Sequence, residues 1–207
     1  MAFDISNTRV SVGVFESERL HTAFSMATDQ RRTPDEYGAL LLALMREHQV
    51  GRSDIDGAVI GSVVPPVTEA LSQLCHRSLE VTPLCVGAGT RTGIRVATHH
   101  PREVGTDRIV NAVAAHRLFG GPAIVVDFST ATSFDVVADD GAYLGSVIAP
   151  GLGLSADALF ERGALRLEKG DRRGARADFV KVRQLEQNSP LAEAAGQVLE
   201  QLDVKKD

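Results

Sequence analysis

The sequence predicts an α/β fold in which one supersecondary unit occurs twice and a helical tail follows. Residues 1–15 (MAFDISNTRVSVGVF) and 123–137 (AIVVDFSTATSFDVV) each have the pattern of a strand, a polar turn and a second strand. In both stretches an Asp ends the first apolar run, and small hydroxyl or amide side chains form the turn. Strand and helix patterns follow each opening, which indicates an internal duplication.

Apolar periodicity and boundary residues predict the elements of the first half in order. Strands are expected within 1–15 and over 20–28. Thr33 and Pro34 mark the start of a helix over 33–50, because Thr is a favoured N-cap and Pro suits the first helical position. The later elements are a strand over 56–65, a helix over 67–79, a strand over 83–89 and a loop and helix over 101–121 that ends at two glycines.

The second half repeats the opening and then becomes helical. Strands are expected over 123–129, 132–138 and 142–149, and an amphipathic helix is expected over 154–168. The duplication therefore predicts two turns that face each other across a cleft.

Composition limits the classes of function. The chain has 207 residues, 43% hydrophobic content and a net charge of −5, which allows a real core and argues against a nucleic-acid-binding surface. No long apolar run or charged leader is visible, so that no membrane segment or secretion signal is expected. Cys75 and Cys85 lack CxxC spacing, and we expect two buried thiols in a reducing, cytoplasmic setting.

The doubled turn has two interpretations. Backbone N–H groups in such a turn can bind phosphate oxygens, and an Asp at the strand end can hold a cation or its waters. A nucleotide could then be bound from both sides. Alternatively, both are ordinary hairpin turns with Asp and Ser in their usual places. The matched pair favours the nucleotide interpretation.

Four motifs in order resemble those of the type III pantothenate kinase family, also called Bvg accessory factors, within the actin, sugar-kinase and heat-shock-70 ATPase architecture. The resemblance covers residues 1 to about 167. The family's D-x-G-N-T corresponds to DISNT at 4–8, and its G-x-D-R to GTDR at 105–108. Its D-x-G-T-A-T-T corresponds to DFSTATS at 127–133, and its dimer-interface motif G-G-x-I-x-P-G to GSVIAPG at 145–151.

This resemblance implies a duplicated actin-like ATPase fold, related to ribonuclease H, with an incomplete second domain. The expected division is a first unit over 1–118, the start of a second unit over 119–167 and a helical tail over 168–207. The implied reaction is ATP-dependent phosphorylation of pantothenate to 4′-phosphopantothenate, the first step of coenzyme A biosynthesis. The implied ligands are pantothenate, ATP, Mg²⁺ and a monovalent cation, K⁺ or NH₄⁺, and a homodimer is expected through 145–151.

The resemblance also assigns site residues. Asp107 is the expected catalytic base, and Arg108 is expected to bind the substrate carboxylate. Without the family context, Asp107 would be an acid favoured at a helix N-terminus, and Arg108 would be solvated. Asp127 matches the monovalent-cation ligand. The substrate-binding residues are Gly105, Thr106, Asp107 and Arg108. The ATP-binding residues are Asp4, Ile5, Ser6, Asn7, Thr8, Arg9, Val10, Ser11 and Thr130.

Serine replaces a family glycine at Ser6, Ser129 and Ser146. If the glycine has a positive φ, a serine there adds strain of about 1–2 kcal/mol and predicts weakened ATP binding. Three further acids, Asp135, Asp139 and Asp140, are interpreted as solvated turn residues.

The tail departs from the family pattern and resembles one helical hairpin of a tetratricopeptide repeat. A single hairpin cannot bury its own apolar face, so that Ala175, Phe179, Val182 and Leu185 are expected to dock on the body or on another chain. An alternative function follows, namely a kinase-like protein without competent catalysis that binds a nucleotide, or a protein partner through its tail. A generic sugar kinase is a more distant alternative, because GTDR has no role there.

Overall fold

The computed structural model describes residues 1–87 and 89–204. Ala88, in the predicted strand over 83–89, and residues 205–207 of the predicted tail lie outside the described residues. The elements in chain order are β1 Ala2–Ile5, β2 Arg9–Glu16, β3 Arg19–Ala27, α1 Pro34–Glu47, β4 Val59–Ser62, α2 Pro65–Ser78, β5 Leu84–Cys85, α3 Thr106–Phe119, β6 Ala123–Phe128, β7 Ala131–Val137, β8 Tyr143–Pro150, α4 Leu152–Glu168, α5 Arg172–Leu185 and α6 Pro190–Val204.

The strands form two sheets. The first has the order β3-β2-β1-β4-β5, in which β1, β2 and β3 form an antiparallel meander. Strands β4 and β5 join it in parallel through the helical crossovers α1 and α2, as parallel strands require. The second sheet has the order β6-β7-β8. The α/β class and the second strand-turn-strand opening are therefore confirmed.

Helix α1 begins where the sequence predicts. Thr33 N–H donates to Glu36 Oε2 at 2.8 Å, and Glu36 N–H donates to Thr33 Oγ1 at 3.3 Å, which forms a capping box. Pro34 occupies the first helical position. The same backbone hydrogen bond from Thr33 lowers the pKa of Glu36.

The core of the first sheet lies on one face. Strand side chains alternate, so that Phe3 and Ile5 are buried while Asp4 between them is exposed on the other face. Helices α1 and α2 cover the buried face with the large side chains Tyr37, Leu41, Met45, Val67, Leu71 and Leu74. Asp4 therefore lies on the face of the sheet that α1 and α2 do not cover.

The chain divides into two compact units. The first comprises 1–125 with 135–145, and the second comprises 126–134 with the chain from 146 onward. The division over 1–118, 119–167 and 168–207 stays a prediction.

The second unit contains three consecutive helices that pack on one another. Phe179 and Ala175 of α5 are buried, and the Phe179 ring lies edge-on to Phe160 of α4 at 5.3 Å between centroids. A Cβ at Gly163 would lie 3.0 Å from Phe179 Cζ, so that glycine leaves room for the ring. The predicted helical tail is confirmed, and its apolar face docks on α4.

An ion cluster centred on one buried carboxylate joins α4 and α5. The Asp178 side chain is only 4% exposed. It accepts hydrogen bonds from Arg162 Nη2 at 2.7 Å and Nε at 3.0 Å, and from Arg166 Nη1 at 2.8 Å. The hydrogen bonds from Arg162, with the charges of both guanidinium groups, hold the pKa of Asp178 below its ordinary value.

Candidate functional site

The first candidate phosphate turn is closed by Ser6. Its N–H and its Oγ both donate to the carbonyl oxygen of Arg9, at 2.9 and 3.0 Å. Thr28, which follows β3, braces the turn because its Oγ1 donates to Ser6 O at 2.8 Å and its N–H donates to Thr8 O at 3.1 Å. Asn7 and Thr8 remain exposed at the tip.

The second candidate turn is also closed by its serine, but onto the carbonyl two residues ahead and not three. Ser129 N–H and Oγ both donate to the carbonyl oxygen of Ala131, at 3.0 and 3.1 Å. Gly151 N–H donates to Thr130 O at 3.1 Å, and a Cβ on Gly151 would clash with the carbonyl oxygens of Ser129 and Thr130. Glycine therefore lets the N-terminus of α4 approach this turn closely.

Neither serine is strained. Among the described non-glycine residues, positive φ angles occur at Ser17, Gln49 and Glu80, and not at Ser6 or Ser129. In the interface motif, Gly145 adopts a positive φ of 143° and Ser146 does not. Serine in place of glycine costs strain only where φ is positive. Since φ is not positive at Ser6, Ser129 or Ser146, the expected strain does not arise.

We therefore expect that restoring glycine at both turns loosens them. Ser6→Gly and Ser129→Gly each lose a side-chain hydrogen bond and gain chain freedom, which together should lower the free energy of unfolding by about 1–2 kcal/mol per site. ATP binding should not tighten. Denaturant melts and ATP titration check this. Ser17→Gly is the matched control, because Ser17 has a φ of 56° and glycine there should be neutral or stabilising. Tighter ATP binding in the double variant would contradict the expectation.

The GTDR motif forms the start of α3. Gly105 is the N-cap, Thr106 begins the helix, and Asp107 and Arg108 lie in its first turn. Asp107 Oδ1 is buried and has no hydrogen-bond partner in the part of the chain that the structure describes. Gly105 has a negative φ of −58°, but a Cβ there would clash with Asp107 Oδ1. Close approach, not backbone conformation, therefore explains glycine at this position.

The first sheet brings the first phosphate motif next to the start of α3. Asp4 of β1 pairs in register with Gly61 of β4. A Cβ at Gly61 would lie 3.8 Å from Thr106 Cγ2 and 3.9 Å from Val110 Cγ1, so that α3 packs directly over this strand. Val110 follows Asp107 by three residues and therefore lies on the same side of the helix. The motifs at 4–8 and 105–108 thus share one side of the first unit.

A cavity of about 690 Å³ lies on this face of the sheet. Its lining includes small residues from the four adjacent strands β3, β2, β1 and β4. It also includes Asp4, Arg9, Val86 and Val110, together with larger apolar side chains. The volume falls within the range of about 300–1,000 Å³ that small-molecule sites occupy. Asp4 and α3, through Val110, therefore border the same cavity.

The predicted ATP-binding residues differ in their exposure, in the face of the sheet on which they lie and in the unit to which they belong. Asp4, Arg9 and Ser11 border this cavity. Ile5 and Val10 are buried in the core on the opposite face, so that they could contact a ligand only through their backbone. Thr130 and Asp127 belong to the second unit, where Thr130 is exposed in its turn and Asp127 is half-buried in β6.

The side chains of the described residues can be compared with the donors that usually bind Mg²⁺. Among the described residues, no three His, Cys, Asp or Glu side chains are grouped to hold a metal ion. Mg²⁺ in nucleotide sites is held by one or two carboxylates together with the phosphates and water. The exposed carboxylate of Asp4 beside the cavity fits that donor set, whereas a site made by protein alone does not.

Two interpretations of single residues are wrong. Asp135 is not a solvated turn residue, because it lies inside β7, is fully buried and accepts a hydrogen bond from Tyr143 Oη at 2.8 Å. The period-two alternation with Val137 in the same strand is the sequence signal that could have shown this. Cys75 is buried as expected, and burial raises its pKa to about 11. Cys85, however, is exposed.

No helix among the described residues is both long enough and apolar enough to cross a membrane.

Comparison with known families gives a match over most of the chain. A model described as "Type III pantothenate kinase" matches residues 1–178. Similar curated proteins are named type III pantothenate kinase in three bacteria. The protein of Agathobacter rectalis is 45% identical over 164 residues, which cover 79% of this chain and 63% of the relative. That of Moorella thermoacetica is 45% identical over 164 residues, with 79% and 65% covered.

The third relative, from Listeria welshimeri, is 46% identical over 164 residues, which cover 79% of this chain and 63% of the relative. The chain therefore spans less than two thirds of the length of these relatives.

Proposed function

This chain belongs to the type III pantothenate kinase family, and from that membership we propose that it transfers the γ-phosphoryl group of ATP to the primary hydroxyl of pantothenate. The hydroxyl oxygen forms a bond to the γ-phosphorus, the bond from that phosphorus to the bridging oxygen breaks, and ADP leaves. Pantothenate and ATP are thus the substrates, and 4′-phosphopantothenate enters coenzyme A biosynthesis.

The position of the Asp107 carboxylate is the observation that carries this proposal. One of its oxygens is buried without a hydrogen-bond partner among the described residues. Buried polar atoms are normally paired, so that an unpaired carboxylate oxygen at a helix start is a candidate for pairing with a substrate hydroxyl. The cavity is bordered by Asp4 and by Val110 of the same helix, although not by Asp107 itself, and it offers space for a substrate beside α3.

Each polar group has a role that suits phosphoryl transfer, which depends on positioning and charge neutralisation. Asp107 orients the attacking hydroxyl and accepts its proton. Arg108 binds the carboxylate of pantothenate, for which a planar guanidinium is suited. Asp4 holds Mg²⁺ or its water shell, and the first turn positions the phosphates. When bound, Mg²⁺ neutralises charge on the phosphate oxygens.

Further parts of the proposal come from the family. Asp127 binds a monovalent cation, K⁺ or NH₄⁺, and Thr130 contacts ATP. Two chains associate through 145–151. Apart from the family, we also propose that the protein acts in the cytoplasm and that the helical tail binds a protein partner.

A coupled assay of ADP release with and without pantothenate tests the function. We expect release that depends on pantothenate and stops on removal of Mg²⁺ with a chelator. Mass spectrometry of the product should show one added phosphate. ADP release that is equal with and without pantothenate would exclude pantothenate as the acceptor.

A binding module without catalysis is the second candidate. The packing of α4, α5 and α6 favours it, because the end of α5 and all of α6 lie beyond the family match over 1–178 and add to a packed helical surface. Calorimetric titration with a nonhydrolysable ATP analogue separates the two candidates. Nucleotide binding without any pantothenate-dependent ADP release would favour the module, whereas binding together with turnover favours the kinase.

Gly105→Ala should lower kcat with little loss of stability. The added methyl group would meet the end of the Asp107 side chain, which can rotate away, so that the helix survives while the carboxylate is displaced. A displacement of the reacting group by about 1 Å costs up to roughly a hundredfold in rate. Steady-state kinetics and thermal melts measure both effects. Gly57→Ala is the control, because no atom lies within 4 Å of a Cβ there. A stability loss without a kcat effect would contradict this prediction.

A further inference from the structure

Asp135 and Tyr143 form a fully buried polar pair in the first unit. Asp135 is 0% exposed and Tyr143 is 1% exposed, and the Tyr143 hydroxyl donates to Asp135 Oδ1 at 2.8 Å. Neither residue belongs to the motifs assigned to ATP or pantothenate. A buried carboxylate needs hydrogen-bond donors, because its desolvation is otherwise costly. The pair therefore fixes the Tyr143 ring in one orientation.

The backbone of Tyr143 holds the loop that leads to α3. Tyr143 N–H donates to Arg95 O at 2.9 Å, and Ala97 N–H donates to Tyr143 O at 2.8 Å. These two bonds form a parallel bridge in which Val96 pairs with Tyr143. The segment before the helix is thus attached to the same residue whose hydroxyl is bonded to Asp135.

The Tyr143 side chain contributes to the packing of α3 itself. It forms a small buried cluster with Ala112 of α3 and Val137 of β7. Val104, which immediately precedes Gly105, packs against the same cluster. Val104 before Asp107 and Ala112 after it therefore both contact this cluster, so that the cluster holds the chain on both sides of the turn that carries Asp107. Since the cluster has few members, the orientation of the tyrosine ring should strongly affect the position of that turn.

We infer that the Asp135–Tyr143 pair is a positioning device for the first turn of α3, and hence for the Asp107 carboxylate. Asp135 and Tyr143 act on the reaction through α3 and not by contact with the substrate. The kinetic part of this inference rests on the proposed function. The structural part, that the pair orders residues 95–112, does not depend on it.

Tyr37, the other tyrosine of the chain, provides a matched control. Tyr37 is also fully buried in the first unit, and its hydroxyl bonds to the backbone of Asp29, accepting from the N–H at 2.9 Å and donating to the carbonyl at 3.0 Å. It lies in the cluster beneath the first sheet and not in that of α3. Tyr37→Phe therefore removes the same hydroxyl at a site with no proposed link to Asp107.

The test compares Tyr143→Phe with Tyr37→Phe by hydrogen-deuterium exchange and steady-state kinetics. We expect faster exchange over 95–112 in Tyr143→Phe alone. We also expect its kcat to fall by about ten- to a hundredfold, with KM for ATP within about twofold of the parent. Tyr37→Phe should change neither quantity, even if both variants melt at lower temperature. Equal exchange over 95–112 in the two variants would overturn the inference.

A double variant separates positioning from general damage. Asp135→Asn in the Tyr143→Phe background replaces the carboxylate, which has lost its donor, with an amide. Burial of an amide without a hydrogen-bond partner costs less free energy than burial of a carboxylate, so that part of the exchange protection and of kcat should be recovered. No recovery of either would count against the pair as a unit. If the parent shows no pantothenate-dependent turnover, the proposed function fails, while the exchange data still decide whether the pair orders α3.

Discussion

Replacing Asp107 with Asn is expected to lower kcat for pantothenate phosphorylation by roughly 10²–10⁴-fold while the affinity for ATP stays near that of the parent. The amide retains the size of the side chain but cannot accept the proton of the attacking hydroxyl. The loss should appear in kcat and in kcat/KM alike, because the interaction is made chiefly in the transition state. Steady-state kinetics and nucleotide titration measure the two effects.

The matched control for this prediction is Asp35→Asn. Asp35 is the second residue of α1, as Asp107 is of α3, and both helices have 14 residues. Asp35 is exposed and has the same favourable interaction with the helix dipole. If Asp107 serves only the helix dipole, both variants should lose a similar, small amount of stability and no activity. A parallel loss of ATP binding in Asp107→Asn would instead indicate a structural role.

Asp178→Asn should lower the free energy of unfolding by about 2–3 kcal/mol. The substitution weakens three charge-assisted hydrogen bonds that join α4 and α5. The effect should stay below that of a fully buried pair, because Arg162 and Arg166 are 56% and 36% exposed and can be solvated when the charge is lost. Urea titration followed by circular dichroism measures it. Asp157→Asn, at an exposed position of α4, should have almost no effect.

The contribution of Asp178 should also depend on pH with a defined sign. Its pKa is lowered in the folded protein from the ordinary value of 3.8, so that the unfolded chain binds the proton more readily. The stabilisation is fully present above the ordinary pKa and is lost as the pH falls below it, through the lowered pKa. The stability difference between parent and Asp178→Asn should therefore be constant near neutral pH and shrink below a pH of about 4. A difference that grows on acidification would contradict this account.

The elements that were predictable are those specified by local chemistry. Helix α1 follows from the Thr33 cap, Pro34 and the apolar spacing, and the strand-turn-strand openings follow from alternating apolar residues. A loop and then a helix are expected over 101–121, but the sequence does not specify where the loop ends, and α3 begins at Thr106. A short 3₁₀ turn at Pro101–Glu103 precedes it, and a boundary of this kind is not specified by apolar periodicity.

What could not be predicted depends on contacts between distant segments. The sequence places Asp135 in or beside a strand turn, which favours a solvated carboxylate, whereas the partner that allows its burial, Tyr143, lies on the next strand. The role of Gly105 depends on where the Asp107 carboxylate lies, and the lining of the cavity depends on the register of β1, β2, β3 and β4. Strand register and side-chain approach arise only when the sheet forms.

The way in which Ser6 and Ser129 close their turns has a consequence for recognising related proteins by pattern. Each serine directs both its N–H and its hydroxyl to one carbonyl oxygen, with an ordinary backbone conformation. Glycine is therefore not required for the backbone conformation of these two turns. A consensus pattern that requires D-x-G at both turns would fail to retrieve this chain. A pattern that accepts glycine or serine at the third position would retrieve it, together with other proteins whose turns are closed by a serine.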